Sequence, residues 1–467
     1  MTQLTLVNGI KASAKAGFEV EYPTNAEPVP VDTNISKGFL RTPPGTQGMG
    51  NGPGIDRGGI NWEGTLYRVM GDRLGSVAQD GTFTDLGYVG NDGLPVSLDY
   101  SFTDLSIGSN GSLYYWNAAD GLRQVTDLDL GTVLDHIFVA GYFMTTDGES
   151  LVVTELNDPM AVDPLKYGSS ETDPDPVTGL ILIEPGSEVY ALNRYTIDPF
   201  QNRGGNGFPF AIVNSGTIPK GCVSRSAKCH YLESFAFVGS GRNEALGVYL
   251  ANSGSVDKLS TRTIDKILAE VSDPTKIILE AVMYEDEQRL LVHLPDQTLV
   301  FCAAASALVG EKVWYYRKAG KGRALRPRFH VNVYDGWYVG DNDTSAIGKL
   351  DFTISTDFGE QNEGYLYTYL VYNEGKGAIC HSLELTGQPG RIPFGTQGTV
   401  FVSKSLDGES WSEERPVSTG GFGQRSIRAQ IRPHWKMSNY MGLRYRWLDS
   451  SIATWARLEA EFEGLSV

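Results

Sequence analysis

Short runs of apolar residues alternating with polar ones, each closed by a glycine turn, fill the chain from Gly59 to about residue 350. Residues 65–69, 74–78, 105–107, 113–116, 122–125, 137–145 and 151–155 have the period-two pattern of half-buried strands. Asp-Gly, Asn-Gly and Gly-Asp pairs separate them, the dipeptides that suit tight hairpins. One turn-plus-strand unit recurs as Gly64-Thr65-Leu66-Tyr67, Gly111-Ser112-Leu113-Tyr114 and Gly186-Ser187-Glu188-Val189-Tyr190, with a looser copy where Asp147-Gly148 precedes Leu151. The turn-to-turn intervals are 47, 37 and 38 residues. Repeats of roughly 40 to 50 residues are what radially arranged four-stranded sheets produce. Further units at 235–250, 277–301 and 331–350 bring the expected number of blades to six or seven, with insertions at 158–179 and 200–210. Helical composition is confined to 264–271, after Ser260-Thr261-Arg262, and 303–309.

From about Gly359 the strands lengthen: 365–372, 379–384, 398–404, 426–431, 442–447 and 455–462. Leu443, Tyr445 and Trp447 alternate with Arg444 and Arg446, so apolar residues take one sheet face and guanidinium groups the other. Before Gly59, six prolines and the glycine-rich run 45–59 predict an extended arm or lining segment. The expected architecture is all-β: an arm over 1–58, an irregular β-propeller over 59–358, and an antiparallel β-sandwich or barrel over 359–467.

Composition narrows the classes. Charged residues make up 20% of the chain, with 55 glycines and 22 prolines, the profile of ordered, turn-rich protein. The net charge of -17 is uneven: residues 1–220 hold 12 Lys and Arg against 27 Asp and Glu, and residues 221–467 hold 27 against 29. Such an acidic half repels nucleic acid and membrane headgroups wherever it faces them. Cys222, Cys229, Cys302 and Cys380 are too few to staple the fold and match no zinc spacing, so reduced thiols are expected. Residues 1–20 have no apolar signal-peptide core and no later run reaches membrane-spanning length, which points to synthesis and folding in a cytoplasm.

The densest basic stretch is Lys312, Arg317, Lys318, Lys321, Arg323, Arg326 and Arg328, interleaved with Trp314, Tyr315 and Tyr316. Basic and aromatic residues mixed this way suit single-stranded nucleic acid or an acidic partner surface. A solvated loop between blades accounts for them more economically than nucleic acid does, and an assembly contact with an acidic neighbour fits the charge asymmetry. Glu171, Asp173 and Asp175 lack the spacing of a calcium loop and read as an acidic bend. Residues 405–411 approach the Asp-box turn of sialidase-type propellers, but a single short copy is explained by a surface turn. Arg242, Asn243 and Glu244, after Gly239-Ser240-Gly241, are expected to lock a turn through charge-assisted hydrogen bonds. With no nucleophile elbow, phosphate loop or paired-histidine metal motif, no catalytic residue, cofactor or metal ligand is assigned. A glycan-binding or sialidase-like propeller is the competing class.

Three stretches carry a resemblance. They are Leu128-Asp129-Leu130-Gly131 leading to 141–148; 154–159 continuing through 165–169 and 173–177; and 237–245 followed by 259–265. Together they resemble the packaged-DNA stabilisation proteins, the tail-hub or nozzle subunits of short-tailed phages of the Salmonella podovirus type. The resemblance implies a propeller-containing virion protein with no enzymatic role. Its expected place is a homohexameric ring below the portal and its adaptor, closing the head over packaged DNA. It would hold the tail needle and help seat the tailspikes.

Overall fold

The computed structural model describes residues 2–6, 23–30, 38–156, 158–170, 174–183, 188–205, 207–252, 254–371, 376–407, 410–438, 440–448 and 453–465. Seven antiparallel sheets form a ring, and their innermost strands begin at residues 56, 97, 135, 177, 228, 278 and 327. Blade one shows the plan: Asp56–Trp62, Tight turn at Glu63-Gly64, then Thr65–Met70, Arg73–Val77 and Phe83–Tyr88 in order from the axis outwards. Glu63 and Gly64 take φ of 50° and 76°, the left-handed pair that a two-residue hairpin requires. Each blade buries its middle strands against its neighbours, so Leu66, Val69, Leu113 and Val153 are inaccessible.

The recurring glycine turns are not equivalent positions. Gly64 joins the first and second strands of its blade, whereas Gly111 and Gly148 follow second strands. Gly186 lies outside the described residues. Any tight hairpin selects the same dipeptides, so turn chemistry reports hairpins and not blade boundaries. The expected insertion at 158–179 begins instead as blade three's outermost strand, Asp158–Gly168. The 200–210 stretch is the end of a third strand, Ile197–Asn202, and the loop after it. Both expected helices form, as Arg262–Glu270 and Ala303–Val309.

The last blade closes on the first part of the chain. Pro327–Val333, Gly336–Asp341 and Ala346–Asp351 receive Gly45–Asn51 as their fourth strand, with Leu350 opposite Thr46. The C-terminal domain is a sandwich. One sheet orders Gly364–Val371, Tyr440–Trp447, Gln397–Ser405 and Arg415–Gly421. The other is built on Ala378–Gly387 and Thr454–Gly464 and recruits Thr2–Thr5, Glu27–Val29 and Phe39–Arg41 from the N-terminus. Leu443, Tyr445 and Trp447 point into the sandwich core as their alternation predicts.

The described residues of 1–58 therefore are not a separate extended arm. They supply strands to the sandwich and to blade seven, and the innermost strand of blade one starts at Asp56. Thr2–Thr5 and Phe39–Arg41 pair with Thr454–Gly464, and Gly45–Asn51 pairs with Ala346–Asp351, partners hundreds of residues away that no local pattern could mark.

Candidate assembly surfaces and the propeller axis

Innermost strands line an axial cavity of about 1230 Å³. Its lining is mixed, with Leu98, Phe138, Leu182 and Phe329 beside Asp99, Asp135, His136, Arg225 and Lys228. Carboxylates, buried at Asp56, Asp135 and Glu280 and half-buried at Asp99, staple one blade to the next around it. Asp99 on blade two accepts from the Phe138 amide of blade three at 2.6 Å. Asp135 on blade three accepts from the Leu180 amide of blade four at 2.9 Å and pairs with Lys228 of blade five at 2.9 Å. Glu280 on blade six accepts from the Phe329 and His330 amides of blade seven at 2.8 and 2.9 Å and from His330 Nδ1 at 2.7 Å. Arg68 of blade one pairs with Asp56 at 2.6 Å and donates to the Phe329 carbonyl of blade seven at 2.8 Å. Part of the acidity of the first half thus goes into internal joints, where a charge-assisted bond fixes the angle between neighbouring sheets.

His136 sits among these joints between two serines, its Nδ1 2.8 Å from Ser97 Oγ and its Nε2 2.8 Å from Ser106 Oγ. Burial pushes its imidazole down to about 4, against the opposing pull of Asp135. A ring that weakly basic, with hydroxyls on both nitrogens and no carboxylate orienting it, lacks the arrangement that activates a serine. Ser106 Oγ in turn donates to the Asp99 carbonyl. Among the described residues no group of three or more His, Cys, Asp or Glu could hold a metal ion. The four cysteines are free thiols, and burial raises Cys222, Cys302 and Cys380 to about 11, about 11 and about 12. No described helix is long and apolar enough to cross a membrane.

The basic stretch is not one surface. Arg317 and Arg328 are buried: Arg317 donates to the Pro44 carbonyl at 3.3 Å, and burial pushes Arg328 down to about 10. Arg326 is bound to Asp341 at 2.5 Å and Glu360 at 3.3 Å. The Lys318 ammonium lies 5.1 Å from the centre of the Tyr316 ring. Lys312, Lys321 and Arg323 are exposed, with Arg323 paired to Glu360 and Lys312 donating to the Lys258 carbonyl. Residues 313–319 form blade six's fourth strand, whose alternation turns every other side chain inwards, so consecutive basic residues cannot share a face.

Arg242, Asn243 and Glu244 occupy an exposed turn between the second and third strands of blade five. Glu244 pairs with Lys220, which holds its carboxyl below the ordinary range, and Arg242 lies 5.5 Å from the Tyr195 ring centre. Tyr195 belongs to blade four, so the turn ties two blades together. In the sialidase-like segment, Asp407 accepts from the Ser410 amide at 2.9 Å and from Ser405 Oγ at 2.9 Å, a side-chain-closed surface bend. Gly408 and Glu409, like Glu171 and Asp173 of the acidic bend, lie outside the described residues.

Sequence reasoning missed the joint between the two domains. Asn25, at φ 48°, donates from Nδ2 to the carbonyls of Lys318 and Glu363, both at 2.8 Å, and accepts from the Lys318 amide at 3.1 Å. Its neighbour Thr24 exchanges backbone bonds with Tyr365 of the sandwich, and the Asn25 amide donates to Tyr316 of blade six. Two residues on, Glu27 is inaccessible and sits between Arg41 at 2.5 Å, the Tyr284 hydroxyl at 2.5 Å and Arg289 at 3.4 Å. Burial would raise its carboxyl, but Arg289, Arg41 and Tyr284 outweigh burial and hold it low. A lone Glu between Ala26 and Pro28 carried no signal of this, because its partners come from blade six and from a neighbouring strand.

Known proteins share this two-part build. A family model described as "Bacteriophage P22 Gp10, beta-propeller" matches residues 2–355, and one described as "Bacteriophage P22 Gp10, beta-sandwich" matches 363–463. The tail hub protein gp10 of Salmonella phage P22 is 25% identical over 443 residues, covering 89% of each chain. Among solved structures, the N-terminal domain of Nup159 aligns with a TM-score of 0.40 at 10% identity, over 69% of this chain and 98% of that one. The computationally designed Ika8 protein aligns with a TM-score of 0.39 at 9% identity, over 65% and 100%. The family expected from the stretches at 128–177 and 237–265 is the one whose models span both domains, and the chain belongs to the bacteriophage P22 Gp10 family.

Proposed function

We propose that this chain is a tail hub protein, a structural subunit of a phage particle that works by shape and assembly without turnover. The observation that carries the reading is the extended similarity to the tail hub protein gp10 of phage P22, over 89% of both chains and through both domains. The sialidase-like alternative is not favoured by that relationship. In this reading six copies form a ring below the portal and its adaptor in the virion tail, assembled in the bacterial host cytoplasm. The ring closes the head over packaged DNA and carries the tail needle and tailspikes.

The physical properties suit such a part. Carboxylate joints between blades stiffen the ring of sheets, and a rigid subunit is what holds a fixed rotation between heterologous neighbours. Side chains line the axial cavity, and its volume of about 1230 Å³ is far too small to pass a duplex. The genome would therefore pass between copies, where exposed acidic residues keep DNA from adhering. The exposed cations Lys312, Lys321 and Arg323 are the part of the basic stretch left to meet an acidic partner such as the adaptor.

Cryo-electron microscopy of purified particles, with mass spectrometry of their proteins, tests the reading. The expected result is a ring of this chain directly below the portal complex. Its absence from mature particles would refute the assignment.

A further inference from the structure

Two exposed apolar patches of opposite charge lie on opposite sides of the molecule. The first is at the outer edge between blades two and three. Leu128 is 95% exposed and Leu165 79% exposed, with Tyr167 beside them. The short 3-10 turn holding Leu128 packs on the outermost strand of blade three, and the Tyr167 hydroxyl donates to the Asp129 carbonyl. Around them stand Asp127, Asp129, Asp147 and Asp163; burial and then Asp129, Asp147 and Asp127 raise the Tyr167 hydroxyl.

The second patch is on the sandwich. Phe394 is 88% exposed and Phe422 63% exposed, and their rings meet edge to face at 5.9 Å. They sit on two loops knit together by the Gly423 amide to the Gly390 carbonyl and by Arg425 to the Pro389 carbonyl at 3.2 Å. Both loops, 388–396 and 422–428, carry arginine and no acidic residue: Arg391, Arg425 and Arg428. Arg428 is paired with Glu384, which leaves Arg391 and Arg425 exposed.

The sandwich is docked at blade six through Asn25 and Glu27. In a ring of seven blades, blade six stands across the axis from the border of blades two and three. The phenylalanine loops therefore cannot reach the acidic edge of their own propeller. We propose that they dock on the acidic edge of a second copy of this chain, Phe394 and Phe422 against Leu128, Leu165 and Tyr167, with Arg391 and Arg425 facing Asp129 and Asp163. Exposed apolar patches rimmed by charge mark association sites, and complementary charge sets partner and register. Two different patches on opposite sides make the contact head-to-tail, the kind that propagates into a ring. The proposal rests on the hub reading for its setting and deepens it by naming the surfaces.

The test places cysteines at both patches, Leu165→Cys with Phe394→Cys, in the full chain. Mild oxidation is applied to purified particles and to concentrated purified protein, followed by a non-reducing gel. A ladder of covalent multimers in either preparation, absent from each single variant, is the expected result. Dimers from one single variant alone would show like patches meeting and overturn the head-to-tail contact, as would no cross-link in either preparation. A ladder from purified protein, with the chain missing from particles, would sink the hub reading and leave this contact standing. As a second arm, Asp129→Lys/Asp163→Lys and Arg391→Glu/Arg425→Glu each weaken self-association about a hundredfold, and combining all four in one chain restores it. Reversals that associate like the unaltered protein would overturn the proposal.

Discussion

Replacing Glu27 with alanine should loosen the sandwich from the propeller more than any other single truncation at their border. The carboxylate is inaccessible, and its partners Arg41, Tyr284 and Arg289 come from both domains. The Arg289 side chain is 1% exposed, so removal of Glu27 leaves a guanidinium in the interior with Glu287 at 3.1 Å as its remaining carboxylate partner. Breaking one side of a buried pair costs about 3 to 5 kcal/mol. Glu287 offsets part of this, which puts the expected loss near 3 kcal/mol, roughly a hundredfold in the unfolding equilibrium. Urea unfolding of the full chain, followed by tryptophan fluorescence, reads it. The cycle with Arg289→Ala adds a check: the double variant should cost less than the two singles together, because neither charge is then stranded. The sign with pH follows from the lowered carboxyl. Its stabilisation is present above the ordinary value of 4.5 and disappears as pH falls through the lower folded value, so the gap between parent and variant should close in acid. A loss below about 1 kcal/mol at neutral pH, or strict additivity in the cycle, would refute the reasoning.

Four more outcomes are expected. His136 has an ordinary value of 6.5 and a folded value of about 4, so stability should fall by up to roughly 3 kcal/mol as pH drops between them; His136→Gln should flatten that slope in acid-unfolding curves. Gly239→Ala should cost at least about 3 kcal/mol in thermal unfolding, since a Cβ there would lie 1.6 Å from the Gly221 carbonyl oxygen and backbone cannot yield as a side chain does. Asn25→Ala removes three hydrogen bonds at the domain joint and should lose about 2 kcal/mol, with limited proteolysis cutting faster near residue 360. Lys321→Glu with Arg323→Glu should shift stability by less than about 1 kcal/mol yet reduce incorporation into particles, scored by quantitative mass spectrometry; normal incorporation would remove these cations from the assembly contacts.

Alternation and turn chemistry are local, and they made the all-β class, the blade-sized hairpins, both short helices and the facing of Leu443, Tyr445 and Trp447 readable from the sequence. A strand of period two announces which residues go inside wherever it lies, because the pleat sets the side-chain direction. The stretches at 128–177 and 237–265 made the family readable as well. What the chain could not announce is which distant segment completes each sheet. Gly45–Asn51 fits blade seven and Phe39–Arg41 fits the sandwich because ring closure and a second sheet leave open edges there, whereas prolines 28, 30, 43 and 44 report only an extended local conformation. Charge was equally deceptive: the basic run from Lys312 to Arg328 looks continuous in one dimension, yet the fold turns Arg317 and Arg328 inwards and binds Arg326 to Asp341. Residue type fixed the local geometry of this protein, whereas the pairing of charges and the closing of both domains depended on long-range contacts that exist only once the ring of sheets has formed.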